Sequence, residues 1–238
     1  MNLCIDIGNS AIKAGVFEGK TLLKDIHKKY HDTSWIKSFV EGVDIEKCIV
    51  SSVVDFTDEN KKDIEDVCKN FVMLTHNTPI PIKNLYATPE TLGTDRLAAA
   101  VGAYDETHSN TVIIDMGTAI TYDIVTEAGE YLGGNISPGM RLRFAALHDY
   151  TAKLPLITRN GNLPKFGTDT ETAIRCGVMR GIEYEISQFI SEMSKKFPKL
   201  LVFLTGGSEI DFEDYVKKRI FVNKNLVLKG LNVILSNL

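Results

Sequence analysis

An α/β fold built from a duplicated domain is what this sequence of 238 residues predicts. Three observations point to it. Strand-like apolar runs alternate with helical patterns through both halves of the chain. The stretch "NLCIDIGNS" at residues 2–10 returns as "TVIIDMGTA" at 111–119, each an apolar run ending in aspartate, one residue, a glycine and small residues. The two aspartates, Asp6 and Asp115, stand 109 residues apart, a period too long for a solenoid and suited to a copied domain. The boundary is placed near residue 105, giving an N-terminal domain over 1–105 and a C-terminal domain over 106–238.

The elements follow in order. "NLCIDI" is almost continuously apolar, as a strand buried on both faces should be. "AIKAGVFEGKTLLKDI" reads as two strands turning at Glu18-Gly19. "TSWIKSFVEGV" has apolar residues at helical spacing behind a Thr/Ser cap. "EKCIVSSVV" is a β-branched strand, "DENKKDIEDVCKNF" an amphipathic helix and "FVMLT" a further strand. A loop with Pro79, Pro81 and Pro89 approaches the boundary, and an alanine-rich helix starts at about Thr94. The pattern then restarts with a strand, the second Asp-x-Gly turn and a hairpin closed at Ala128-Gly129. "PGMRLRFAALHDY" reads as a helix with Pro138 near its start, where a missing N–H does no harm. A long helix covers roughly 170–197, "KLLVFLTGG" is a strand ending in glycines, and "NLVLKGLNVIL" is a closing helix.

Composition narrows the function classes. Hydrophobic residues make up 44% of the chain, enough for a sizeable core, while the net charge of −4 offers no global attraction to nucleic acid or a membrane surface. No apolar stretch approaches the ~20 residues that span a bilayer. The first residues lack the pattern of a signal peptide. Cys4, Cys48, Cys68 and Cys176 are scattered without a CxxC pair, which predicts reduced, buried thiols in a cytoplasmic protein. His27, His31, His76, His108 and His148 show no ligand spacing, and Trp35 is expected in the core or an interface.

The repeated turn carries the chemistry. After a strand, Asp-x-Gly-Asn-Ser leaves several backbone N–H groups pointing into one concavity, and glycine removes the Cβ that would block an anion's approach. Asn9 and Ser10 add side-chain donors, and Lys13 adds a positive charge. An aspartate repels phosphate directly, so its presence makes sense with a hydrated divalent cation between the two. A single Asp-x-Gly is best read as a tight turn; two copies with matching apolar lead-ins, brought to face each other, would flank a nucleotide's phosphates. No G-x-x-x-x-G-K-[ST] segment is present, which excludes a Walker-type loop.

Other segments offer parts for the same site. "LGTDR" places Asp95 and Arg96 at a helix start, where Asp95 also has an ordinary explanation as an N-cap or first-turn acid. With Gly93 and Tyr86 the cluster suits a small polar acid: Arg96 on a carboxylate, Tyr86 alongside, Asp95 near a hydroxyl. "GGNISPG" at 133–139 and "LTGG" at 204–207 are glycine-dense turns, the second suited to a flat nucleobase or ribose.

Taken together, "DIGNSAIK", "TLGTDR", "DMGTAITYD", "GGNISPG", "TAKLP" and "TGG" resemble the type III pantothenate kinases of the acetate and sugar kinase/heat-shock chaperone/actin superfamily. The resemblance spans nearly the whole chain in order. It implies duplicated ribonuclease-H-like, actin-like ATPase domains with mixed sheets flanked by helices, and ATP-dependent phosphorylation of pantothenate to 4'-phosphopantothenate, the first step toward coenzyme A. It also implies a first phosphate loop formed by Asp6, Ile7, Gly8, Asn9, Ser10, Ala11, Ile12 and Lys13, with Thr118 touching ATP. Asp95 would accept the proton of the pantothenate hydroxyl. Tyr86, Gly93, Thr94, Arg96 and Thr170 would line the pantothenate site beside it. Asp115 would hold a monovalent cation, potassium or ammonium, and Asp6 a magnesium ion through water. The family works as a homodimer with sites near the subunit interface. Ser10 replaces the usual threonine and keeps its hydroxyl. Two rival readings share the fold: another small-molecule kinase, which would lack the Tyr86 and Gly93–Arg96 cluster, and a non-catalytic regulatory protein, which should have lost part of the Asp6, Asp95 and Asp115 constellation.

Overall fold

A computed structural model of the chain describes residues 1–29, 32–207 and 220–238. His31 and the acidic stretch after Gly207 lie outside the described residues. The first apolar run forms β1 (Asn2–Ile7), which pairs antiparallel with β2 (Ala11–Glu18) and parallel with β4 (Lys47–Ser52). β3 (Thr21–Lys29) folds back on β2 through a turn in which Gly19 adopts φ +55, a conformation that suits glycine. With the two-residue β5 (Val72–Met73) the sheet order is β3-β2-β1-β4-β5.

A second sheet repeats that plan. Its order is β11-β10-β7-β8-β9-β6, from β7 (Thr111–Met116), β8 (Ala119–Val125), β9 (Glu130–Pro138), β10 (Leu201–Gly206), β11 (Ile220–Val222) and β6 (Lys83–Asn84). Read from β9 to β11, the strands follow the arrangement of β3 to β5, with β6 added at one edge. The duplication inferred from the Asp-x-Gly repeat is therefore visible in strand order. β6 and β11 were not anticipated; they are two and three residues long and exist by pairing with β9 and β10.

The helices are α1 (Ile36–Phe39), α2 (Asp58–Glu65), α3 (Thr94–Thr107), α4 (Met140–Asp149), α5 (Thr170–Lys196) and α6 (Leu226–Ser236). α1 is one turn long, and the expected Thr/Ser cap is absent. The Thr33 hydroxyl is engaged by α2 instead, donating to Asp63 Oδ2 at 2.6 Å and accepting from Asn60 Nδ2 at 3.0 Å. Pro138 ends β9 and Gly139 caps α4, so the proline stands just outside the helix that it was expected to open. All four cysteines are buried and free.

By compactness the chain falls into two units, one of Met1–Thr111, Asp123–Gly133 and Asn225–Leu238, the other of Val112–Tyr122 and Gly134–Lys224. The first unit thus takes in two segments from later in the chain, Asp123–Gly133 and Asn225–Leu238, the second of which carries α6. There α6 packs on α3, β1, β2 and β4. The helices α3 and α6 approach at glycine: a Cβ on Gly102 would stand 2.6 Å from Leu226 O, and one on Gly230 would overlap Ala98 O. In the same unit Leu3, Ile5, Ile12, Ala14, Ile36, Val50 and Ile64 build an apolar core under β1.

Candidate active site

Asp6 is the fifth residue of β1, and its strand neighbours define a polar row. In register it faces Lys13 on β2 and Ser51 on β4, and Lys13 in turn faces His27 on β3. Partners in register point to the same face of a sheet, so a cation and a hydroxyl flank the Asp6 carboxylate. The turn after β1 is closed by Gly8 N donating to Ala11 O at 3.0 Å, and a Cβ on Gly8 would come within 3.3 Å of that carbonyl. Asn9 and Ser10 are exposed at its tip. Ile7 and Ile12 are buried in the core, so their part in any ligand contact is confined to the backbone.

The N-terminus of α3 belongs to the same compact unit. Ser51 Oγ lies 2.9 Å from Thr94 Oγ1, tying β4 to the first residue of the helix. Gly93 is the N-cap, and a Cβ there would stand 2.6 Å from Asp95 Oδ1. Asp95 is a first-turn residue, its Oδ1 accepting from Arg96 N at 2.7 Å. Burial pushes the Asp95 carboxyl above the usual range; the Arg96 amide and the charges of Arg96 and Lys13 pull the other way and only partly compensate.

Arg96 is 7% exposed and Asp123, on β8, only 1%. Asp123 Oδ1 accepts from Arg96 Nε at 2.9 Å, lies 2.7 Å from Nη2, and accepts from the Tyr131 hydroxyl of β9 at 2.6 Å. Burial works against the Arg96 charge, but the hydrogen bond and charge of Asp123 outweigh it, so the guanidinium titrates above its usual value. The Tyr86 ring covers the guanidinium, with Cζ 5.9 Å from its centroid, and the same ring packs against Gly133. Gly133 holds φ +99, and a Cβ would stand 2.9 Å from Tyr86 Cδ2.

The second unit carries the other Asp-x-Gly turn. Gly117 N donates to Ala119 O at 3.0 Å, two residues on where Gly8 N reaches three, so this turn is the tighter of the two by one residue. Thr118 O accepts from Gly139 N at 3.0 Å, and a Cβ on Gly139 would overlap the Thr118 carbonyl. Gly206, at φ +92, ends β10 against Asp115; a Cβ there would lie 2.7 Å from Asp115 Oδ1 and 2.6 Å from Met116 N. Of the atoms crowding Gly206, the Asp115 carboxylate is the oxygen donor that a hard cation would take. Thr170 is exposed as the first residue of α5, whose N-cap Asp169 exchanges hydrogen bonds with Thr172. Also in this unit, an open groove of about 630 Å³ is lined by Tyr122, Ser137, Glu185 and Phe189 among others.

Of the residues singled out from sequence, Asp6, the Gly8–Lys13 turn, Tyr86 and Gly93–Arg96 thus fall in one compact unit, and Asp115, Thr118 and Thr170 in the other. Sequence reading missed Ser51, Asp123 and Tyr131. Asp123 left a signal as a lone acid inside the apolar strand "AITYDIV"; Tyr131 left none.

No helix among the described residues is long and apolar enough to cross a membrane, and no group of three or more His, Cys, Asp or Glu side chains among them is arranged to hold a metal. The profile of the type III pantothenate kinase family matches residues 2–192. A type III pantothenate kinase of Phocaeicola vulgatus is 45% identical over 99% of this chain and 98% of its own. Among solved structures, a protein described as a Baf family transcriptional activator of Campylobacter jejuni aligns with TM-score 0.63 at 24% identity over 99% of this chain and 98% of its own. A ROK family glucokinase of Streptomyces griseus aligns with TM-score 0.52 at 12% identity over 99% and 98%. These likenesses show that the chain shares the fold of those two structures.

Proposed function

The chain belongs to the type III pantothenate kinase family, and from that premise we propose a role for each residue of the two Asp-x-Gly turns and the α3 N-terminus. The reaction is ATP-dependent phosphorylation of pantothenate in coenzyme A biosynthesis. Asp95 is the proton acceptor. The observation that carries this is its setting: a partly buried carboxylate at the start of a helix, with a raised pKa, whose electrostatic neighbours include Lys13 of the first turn.

Transfer to an alcohol forms a bond between the pantothenate hydroxyl oxygen and the γ-phosphorus and breaks the bond from that phosphorus to the ADP oxygen. The hydroxyl proton goes to Asp95. Phosphoryl transfer proceeds through a loose transition state, so alignment and charge neutralisation dominate and Asp95 takes the proton late. The backbone of residues 7–12, the side chains of Asn9, Ser10 and Lys13, and Thr118 bind the phosphates. Tyr86, Gly93, Thr94, Arg96 and Thr170 bind pantothenate, with Arg96 on its carboxylate. Magnesium accompanying ATP would be held through water by Asp6 and would neutralise phosphate charge; Asp115 would hold potassium or ammonium beside Gly206.

The protein acts in the cytoplasm as a homodimer. Support for the dimer comes from the large apolar side chains exposed in the second unit, among them Ile136, Leu156, Phe166 and Tyr184. The test is turnover of pantothenate with MgATP, in potassium and in sodium, for the wild type and Asp95→Asn. Potassium-dependent turnover that falls on the order of 10²–10⁴-fold in the variant supports the assignment. Undiminished turnover by folded Asp95→Asn refutes Asp95 as the base, and equal rates in the two salts refute the cation role of Asp115.

A further inference from the structure

The Arg96–Asp123 pair is built unlike a simple neutralising salt bridge. A guanidinium and a carboxylate that only needed to cancel charge would pair as two forks, each oxygen taking one nitrogen. Here Arg96 Nε, Arg96 Nη2 and the Tyr131 hydroxyl all converge on Asp123 Oδ1, at 2.9, 2.7 and 2.6 Å. Among the described residues Oδ2 and Arg96 Nη2 are both buried with no hydrogen-bond partner, so of the guanidinium nitrogens Nε alone donates to Asp123 and Nη2 meets Oδ1 as a charge contact. Because Nε and Nη2 form one edge of the planar fork, the Nε hydrogen bond and the Nη2 charge contact turn that edge toward Asp123 and leave the donors of Nη1 facing away from it. The Tyr86 ring, 5.9 Å from Cζ, covers the guanidinium. The guanidinium is thus restrained at its edge by Asp123, and the Tyr86 ring stands over its face.

We propose that Asp123 and Tyr131 are positioning residues for acceptor selection: through Oδ1 they hold Arg96 with one edge presented to the carboxylate of pantothenate. This rests on the reading that Arg96 receives that carboxylate. Preorganised donors discriminate because they lose little freedom on binding, and because a partner lacking the carboxylate leaves them unpaired. Tyr131 has no charge and does not neutralise Arg96; its hydroxyl anchors the oxygen that anchors the guanidinium. Removing that hydroxyl keeps the ion pair and loosens its geometry.

The experiment compares pantothenate with pantothenol, the same molecule with a primary alcohol in place of the carboxylate, in the wild type, Tyr131→Phe, Asp123→Asn and Arg96→Gln. Thermal unfolding is recorded for each. Tyr131→Phe is expected to lower kcat/KM for pantothenate about tenfold, through KM, the scale of one hydrogen bond to a charged group. The KM for ATP and kcat/KM for pantothenol should stay within about twofold of the wild type, well inside that scale. Asp123→Asn should show the same selectivity loss, larger in size. A merely structural role would depress both acceptors alike, and that outcome overturns the proposal, as does a Tyr131→Phe enzyme with unchanged selectivity. Should Asp123→Asn fail to fold, Tyr131→Phe alone decides. Arg96→Gln separates the two layers. If it loses pantothenate selectivity while Tyr131→Phe does not, positioning fails and the Arg96 reading stands. If it affects both acceptors equally, the Arg96 reading fails and positioning falls with it.

Discussion

A base must be ionised to take a proton, yet burial at Asp95 favours the acid, and the Arg96 amide and the charges of Arg96 and Lys13 offset this only in part. Two consequences have opposite signs for activity and stability. Activity should rise with pH through the raised pKa of Asp95, so the acid limb of the kcat/KM profile lies above the ordinary aspartate range, about 3.9. For stability, a carboxyl whose folded pKa is raised stabilises the fold most below its unfolded pKa, and that contribution is lost as pH rises through the folded value. Asp95→Asn should therefore unfold at a higher temperature than the wild type at neutral pH, with the difference shrinking as the solution is acidified. Calorimetry across pH checks this; a variant less stable than the wild type at neutral pH would show that the ionised carboxylate is well solvated after all.

At the scale of elements, glycines decide how closely strands and turns meet. Gly206 combines φ +92 with a Cβ position 2.7 Å from Asp115 Oδ1, whereas a Cβ on its neighbour Gly207 would meet nothing within 4 Å. Gly206→Ala should push the end of β7 away from β10, costing about 1–3 kcal/mol of stability and weakening the response to potassium. Gly207→Ala should stay within about 0.5 kcal/mol of the wild type. Urea unfolding and salt titration of activity on the pair would test it. The same scale shows what was legible in the sequence. β1, the two hairpins, α3 and α5 announce themselves because periodicity, turn glycines and caps are local. β6 and β11 do not, being too short to carry a period and held by strands far along the chain. α1 was overestimated because the Thr33 hydroxyl serves α2. Asp6, Asp95 and Asp115 could be named from motifs, but Asp123 acquires its meaning only from Arg96, 27 residues away, and Tyr131 only from Asp123.

Across the whole molecule, the duplication is plain in strand order, while compactness follows packing. α6 completes the unit that bears Asp6 and Asp95, and it does so by nearly backbone-to-backbone approach at Gly102 and Gly230. Gly230→Ala would drive a methyl group into the Ala98 carbonyl, and it should destabilise the protein by about 3 kcal/mol or more, read as a lower urea midpoint. A midpoint matching that of the wild type would mean that the two helices can separate at no cost to the fold. The docking of α6 also sets a schedule for synthesis. Residues 112–224 must be made before α6 exists, on the order of ten seconds at ribosomal rates. Throughout that interval the face of α3 that will receive α6 has no cover, and the nascent N-terminal segment is a substrate for chaperones rather than a finished domain. Slower translation of the second half of the message would therefore lengthen the time for which α3 waits without α6.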